Sequence, residues 1–179
     1  AIAILTVVIS LVLDQVTKFW VKLSMQSGDE FSYIGNWARI HFVENEGMAF
    51  GMSFGAGMGK FLLTFFRIIA VGFITYYLAQ QINNKKSSKG FVFALSLILT
   101  GAVGNIIDSI FYGHIFTHSE GQIATLFPVH GGYASWFHGR VVDMFYFPLY
   151  DGILPNGQPF SYFNAIFNVA DACISVGLV

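Results

Sequence analysis

Two aspartates late in the chain raise the first chemical question. Asp171 lies in an apolar stretch behind Asn164 and Asn168 and ahead of Ser175, at i, i+4, i+7 and i+11; on a helix these four make one polar stripe. Asp143 lies upstream in Arg140-Val141-Val142-Asp143-Met144-Phe145, a short run of extended character. Two carboxylates held close cannot both ionise comfortably, so they share a proton; one can then take a proton from water while the other donates to a carbonyl. Such a pair hydrolyses an amide with no metal and no cofactor, and none is expected. Other chemistries find less support. Gly51-Met52-Ser53-Phe54-Gly55 spells G-x-S-x-G, but that motif needs a strand-turn-helix elbow and here falls in a glycine-rich tract. His114 and His118 are four apart without an H-E-x-x-H, and no glycine motif for phosphate or dinucleotide occurs.

The elements that must carry these aspartates are membrane helices. The 179-residue chain is 55% hydrophobic and 11% charged, whereas soluble domains carry about 25% charged residues. Twenty Phe, eight Tyr and three Trp suit a lipid-facing surface with aromatic belts. A net charge of -1 supplies no field for nucleic acid, and the single Cys173 excludes an intramolecular disulfide and a cluster of zinc thiolates. Crossing a hydrocarbon layer of about 30 Å takes roughly 20 helical residues, and stretches over 1–23, 59–82, 90–112 and 161–179 qualify. The expected architecture is one all-α membrane domain, 1–179, with four transmembrane helices. The chain opens on Ala1 without Met and stops inside an apolar run, so further residues are expected at both ends.

Lys85, Lys86 and Lys89 fall in or at the edge of the short connection 83–89, so the positive-inside rule makes that loop cytoplasmic. Helices one and three then run outward, two and four inward, with both termini cytoplasmic and the segments 24–58 and 113–160 outside. In the first of these, Ala38, Ile40 and Phe42 alternate with Arg39 and His41, which is strand periodicity. From Gly47 to Gly57 the glycine density is too high for a firm helix, and an apolar flap at the membrane surface is expected there.

Ionisable residues inside membrane helices cost about 2.5–3.5 kcal/mol each on insertion scales, so each asks for a reason. Gly101, Asn105 and Asp108 share a face at i, i+4 and i+7, with the glycine permitting close helix approach. Asp14, Thr17 and Lys18 follow helical spacing in the first helix, and Thr64 and Arg67 in the second. With the orientation above, all converge near the outer leaflet. Read blandly, Asp14 and Lys18 form a helix-surface ion pair, Lys18 and Lys22 snorkel to the interface, Arg67 is a structural countercharge and Cys173 a small hydrophobe.

Five blocks in order carry a resemblance: Asp14-Gln15-Val16-Thr17-Lys18, Asn45-Glu46-Gly47-Met48-Ala49-Phe50-Gly51, Gly101-Ala102-Val103-Gly104-Asn105-Ile106-Ile107-Asp108, Val141-Val142-Asp143-Met144-Phe145 and Phe167-Asn168-Val169-Ala170-Asp171. Together they resemble the lipoprotein signal peptidases, or signal peptidase II, over nearly the whole chain. The resemblance implies a bacterial inner-membrane aspartyl endopeptidase that removes signal peptides from prolipoproteins by cutting before a diacylglyceryl-modified cysteine, with a small external β-sheet cradling the substrate. It implies Asp143 and Asp171 as the catalytic pair, and Asp14, Asn45, Gly47, Gly104, Asn105, Asp108, Arg140 and Asn168 as substrate-binding or supporting residues. Lipidated prolipoproteins and membrane lipid are the implied partners of a monomer.

Two departures from the family pattern bear on geometry. Ser109 stands where the family has Arg after the carboxylate of the third block, so an arginine partner for Asp108 comes from Arg140 or Arg67, or is absent. The stretch from Asp108 to Asp143 is also longer than in the family, through an insertion over 117–137. Two other readings stay open. A presenilin- or prepilin-peptidase-type protease would carry G-x-G-D, which precedes neither aspartate. A proton-coupled transporter would continue its polar path inward, where 69–77 and 91–99 are almost wholly apolar.

Overall fold

The computed structural model describes residues 1–46 and 58–179. Three of its helices are long and apolar enough to cross a membrane: α1 (Ile2–Ser24), α2 (Met58–Asn83), and α3 (Lys89–Ile107) with its continuation to Ile115. The continuation is a π-helical turn, Asp108–Tyr112, and a last turn, α4 (Gly113–Ile115). Ser88 stops the basic loop and starts α3 by accepting the Phe91 N–H at 3.1 Å, the usual role of a serine N-cap.

These helices pack an apolar cluster around Ala3, Leu78 and Leu99, but elsewhere they turn charged residues inward and apolar ones outward. On α1, Ile4, Leu5, Val8, Val12, Leu13 and Val16 are exposed while Asp14, Lys18 and Lys22 are fully buried. In water that distribution would be ruinous; in lipid it places apolar side chains against acyl chains and gathers the charges where they can pair. Lys18 and Lys22 therefore do not snorkel, contrary to expectation, because the long stems point inward to carboxylates supplied by other elements.

A four-stranded antiparallel sheet, in the order β1 (Glu30–Ile34), β2 (Ala38–Asn45), β3 (Val141–Tyr146) and β6 (Ile166–Phe167), joins the helices at one end. A separate hairpin pairs β4 (Tyr150–Ile153) with β5 (Pro159–Tyr162). In β2, Ala38, Ile40 and Phe42 are buried and Arg39, His41 and Val43 half-buried, as the alternation in the sequence requires. Phe42, Val142 and Met144 pack with Val21 and Met25 of α1 and with Tyr112 and Phe116. This core fixes the sheet to the helix ends.

The expected fourth helix over 161–179 is corrected at its start. The last helix, α5, runs Val169–Leu178, ten residues, and the chain before it is extended as β5 and β6. Asn168 is its N-cap, accepting the Asp171 N–H at 2.9 Å, while the Asp171 carboxylate receives the Asn168 N–H in a capping box. Phe163, with φ 63°, lies in the left-handed region and interrupts any helix through this stretch. Asn164 thus belongs to no helical stripe; its side chain instead accepts a hydrogen bond from Tyr146 Oη at 3.0 Å. The expected flap, including Gly47 and Gly51, falls outside the described residues.

Candidate active site

Close packing of α3 on α5 brings the polar residues together. A Cβ on Gly101 would sit 2.2 Å from the Ala170 carbonyl oxygen, and one on Gly104 would sit 2.6 Å from Asp14 Oδ2. Neither position admits a side chain without separating the helices. In the space so kept, α1 contributes Asp14, Gln15 and Lys18; α3 and its π turn contribute Asn105 and Asp108; β3 contributes Asp143; and the first turn of α5 contributes Asn168 and Asp171.

Lys18 is the centre of the deeper half. Its Nζ pairs with Asp14 Oδ2 at 3.0 Å and Asp108 Oδ2 at 2.7 Å, all three side chains fully buried, and donates to Asn105 Oδ1 at 3.0 Å. The ammonium's three protons therefore have three acceptors. Gln15 Nε2 donates to Asp14 and Asp108 at 3.1 and 3.2 Å, and Tyr112 Oη donates to Gln15 Oε1 at 3.1 Å. Both carboxylates also hold backbone: Asp14 accepts the Ala170 N–H on its other oxygen, Oδ1, at 2.8 Å, which seats the start of α5, and Asp108 Oδ2, the oxygen already paired with Lys18, accepts the Val142 N–H at 3.2 Å, which seats β3.

Those two backbone anchors flank the shallower half, which holds the candidate pair. Asn168, fully buried, donates from Nδ2 to Asp143 Oδ1 at 2.7 Å and accepts the Asp171 N–H on Oδ1 at 2.9 Å. Asn105 Nδ2 donates to Asp171 Oδ1 at 2.8 Å, and Asn168 Nδ2 also meets Asn105 Oδ1 at 3.2 Å. From β2, Asn45 Nδ2 reaches Asp143 Oδ2 at 3.4 Å. The register explains this last contact. Asn45 pairs with Val141 and Val43 with Asp143, so Asn45 and Asp143 are diagonal neighbours on one face.

Burial and the charge of Asp171 push the Asp143 carboxyl up to about 7, against the opposing pull of Lys18 and of the amides of Asn45 and Asn168. A carboxyl that holds a proton near neutrality beside one half open to solvent is the combination that general acid-base hydrolysis needs. Arg67 of α2 adds a cation whose field reaches Asp171. Among the described residues, no group of three His, Cys, Asp or Glu side chains could hold a metal ion.

Of the residues singled out in the sequence, Asp14, Gly104, Asn105, Asp108, Asn168, Asp143 and Asp171 meet in one hydrogen-bonded set, with Asn45 at its rim. Gly47 lies outside the described residues. Arg140 is not the partner of Asp108: it pairs with Glu46, Glu44 and Glu120, and Asp108 takes Lys18 instead. Helical spacing placed Lys18 at this level, but as a surface ion pair or a snorkelling side chain, and Gln15 and Tyr112 were missed as members of this set. A lysine one turn after Asp14, on the side of α1 opposite its aliphatic face, carried the signal.

Comparisons with known proteins identify the family. The model of the family described as signal peptidase (SPase) II matches residues 6–179. A lipoprotein signal peptidase of Porphyromonas gingivalis is 52% identical over 179 residues, covering 97% of this chain and 77% of the relative. One from Amoebophilus asiaticus is 41% identical over 177 residues, covering 95% and 71%. Two solved bacterial membrane enzymes superpose at TM-scores of 0.65 and 0.63, with 27% and 26% identity; each match covers 98% of this chain, and 86% and 82% of the other. With its family model matched nearly end to end and its polar centre built from the five sequence blocks, the chain belongs to the signal peptidase II family, the membrane enzymes that act as lipoprotein signal peptidases.

Proposed function

We propose that Asp143 and Asp171 are the aspartyl pair that cuts a prolipoprotein immediately before its diacylglyceryl-modified cysteine. The observation that carries this reading is the Asn168 amide, which donates to one carboxylate and caps the helix turn bearing the other. A side chain with both ends so occupied sets the spacing of the two acids and cannot turn freely. Asp143, whose carboxyl is pushed up to about 7 by burial and by Asp171, keeps the shared proton and donates it to the scissile carbonyl oxygen. Asp171, half-buried and so within reach of water, draws a proton from the attacking water. As the tetrahedral intermediate collapses and its C–N bond breaks, that proton passes to the departing amine, while a hydroxyl of the intermediate returns its proton to Asp143 as the carboxyl product forms, so the pair regains its single proton.

The lipid on the substrate has a matching surface. An apolar groove of about 480 Å³ runs between α3, α5 and the sheet, lined in part by Phe93, Leu97, Phe167, Val169, Cys173 and Val176. Val169 is two residues from Asp171, so acyl chains in or beside this groove would keep the modified cysteine at the carboxylates while remaining in lipid. The same reading has the enzyme act as a monomer in the bacterial inner membrane; the lysines of the connection 83–89 support a cytoplasmic side for that loop and both termini, with the carboxylates near the outer face. Incubating the purified protein with a diacylglyceryl-modified prolipoprotein and reading the products by mass spectrometry tests this directly. A single cut before the modified cysteine is the expected result; cleavage elsewhere, or none, defeats the reading.

A further inference from the structure

The insertion over 117–137 is docked on the helix ends. Thr117 and Thr125 exchange hydrogen bonds, and the Phe127 N–H reaches the Ile115 carbonyl at 2.7 Å, making a small hairpin. The returning chain then runs along the carbonyls that the π turn leaves open. The Ala134, Phe137 and Gly139 N–H groups donate to Gly113, Ile110 and Ser109 oxygens at 2.8, 3.2 and 2.9 Å. A Cβ at Gly139 would stand 2.0 Å from the Asp108 carbonyl oxygen, so the chain here is as close as backbone can come.

From this docked segment two side chains enter a second ion network. Ser119, fully buried, accepts from Lys22 Nζ at 2.9 Å and donates to Glu44 Oε1 at 3.1 Å, while Lys22 and Glu44 form a close ion pair. Glu120 pairs with Arg140 Nη1 at 2.8 Å. Arg140 in turn grips Glu44 at 3.5 Å and Glu46 at 2.9 Å, and Lys60 at the start of α2 holds Glu46 at 2.6 Å. Glu44 and Glu46 are the two chain neighbours of Asn45, and Arg140 directly precedes Val141, its partner across the strands.

We propose that the insertion is a positioning element for catalysis: through Ser119 and Glu120 it locks Lys22, Glu44 and Arg140, and that lock holds Asn45 against Asp143. The inference rests on the reading of Asp143 as a catalytic acid. Among the described residues, the groups that face Asp143 are Asp171 of α5, Lys18 of α1, Asn45 of β2 and the Asn168 cap. Of these, only Asn45 is set by the second network. Its N–H favours the ionised carboxylate, so loosening it moves the loss of the shared proton to higher pH.

The test compares Arg140→Gln, the double variant Ser119→Ala/Glu120→Gln and Asn45→Ala, measuring kcat, KM and the alkaline limb of the rate on a diacylglyceryl-modified prolipoprotein, with a thermal melt of each. Arg140→Gln should lower kcat between about ten- and a hundredfold with KM little changed, and move the alkaline limb upward as Asn45→Ala does. Combining Arg140→Gln with Asn45→Ala should shift it no further, because both remove the same contact, and Arg140→Lys should bring the limb part of the way back to its wild-type position. Should Arg140→Gln fail to fold, the insertion double variant, which keeps Arg140, carries the same expectation. An unmoved limb, with rates that merely follow the amount of folded protein, overturns the proposal, as do additive shifts. Wild type and Asp143→Asn are run alongside. Cleavage by the first and none by the second leaves the aspartyl reading standing when the positioning inference fails; cleavage by both removes the two together.

Discussion

Among the described residues two ion networks reach neighbouring turns of α1, one fully buried around Lys18 and one partly open around Lys22 and Arg140, and they differ in how their charges are kept. Around Lys18 every charged group is fully buried and each acceptor also holds backbone or another side chain. Around Lys22 and Arg140 burial is graded, from Ser119 with no exposure to the Glu120 side chain at 69%. Where partners cannot be replaced by water, losing one leaves an uncompensated charge; where they can, much of the Coulomb energy is already lost to screening. The inner network should behave as a single unit that sets the fold, and the outer one as an adjustable support.

The largest effects should come from the inner network and the acids beside it. Lys18→Met strands Asp14 and Asp108 and should cost about 3–5 kcal/mol, read as loss of folded protein in detergent. Asp143→Asn and Asp171→Asn should each abolish cleavage, a fall of at least roughly a hundredfold, with the protein still folded. Retention of a tenth of the rate by either would remove it from the pair.

Next in size is the response to pH. Because burial and Asp171 push the Asp143 carboxyl up to about 7, between its unfolded value near 4 and that point the folded chain holds a proton that the unfolded chain has released. Raising pH through this window therefore lowers stability, the reverse of a salt-bridged carboxylate. Activity should fall on the alkaline side as the pair loses its last proton, a titration that belongs to the pair. Asp143→Asn removes the titrating group, so its melting temperature should vary less between pH 5 and 8 than that of wild type; an equal slope would count against the raised acid. Chelators should leave the wild-type rate unchanged, and loss in EDTA restored by a divalent ion would favour a metal mechanism.

Much of the inner network was legible because its residues repeat at helical spacing. Gly101, Asn105 and Asp108 share a face, and that face meets α5 as expected. The β2 alternation was equally plain. The start of α5 was misread for a physical reason: Asn168 and Asp171 at i and i+3 fit both a helix stripe and a capping box, and only the extended chain before Asn168 decides between them. The burial of Lys18 and Lys22 was hidden because their partners Asp108, Glu44 and Ser119 lie far along the chain. Arg140 was one of two candidate partners for Asp108 because Ser109 replaces the family's arginine, whereas the β2–β3 register aims it at the acids beside Asn45.

The smallest effect sharpens the contrast most. Glu120 pairs with Arg140 at 2.8 Å, but with side-chain exposures of 69% and 30% the pair is open to water and salt, and such pairs contribute about 0–1 kcal/mol. Glu120→Gln alone should therefore shift the melting temperature by no more than a few degrees, and the difference from wild type should shrink further at about 1 M salt, where the Debye length is near 3 Å. Lys18→Met should show no such relief, because salt does not enter a site closed to solvent. If Glu120→Gln instead unfolds the protein, or if its cost is unchanged by salt, then the outer network is as closed as the inner one and the distinction drawn between them fails.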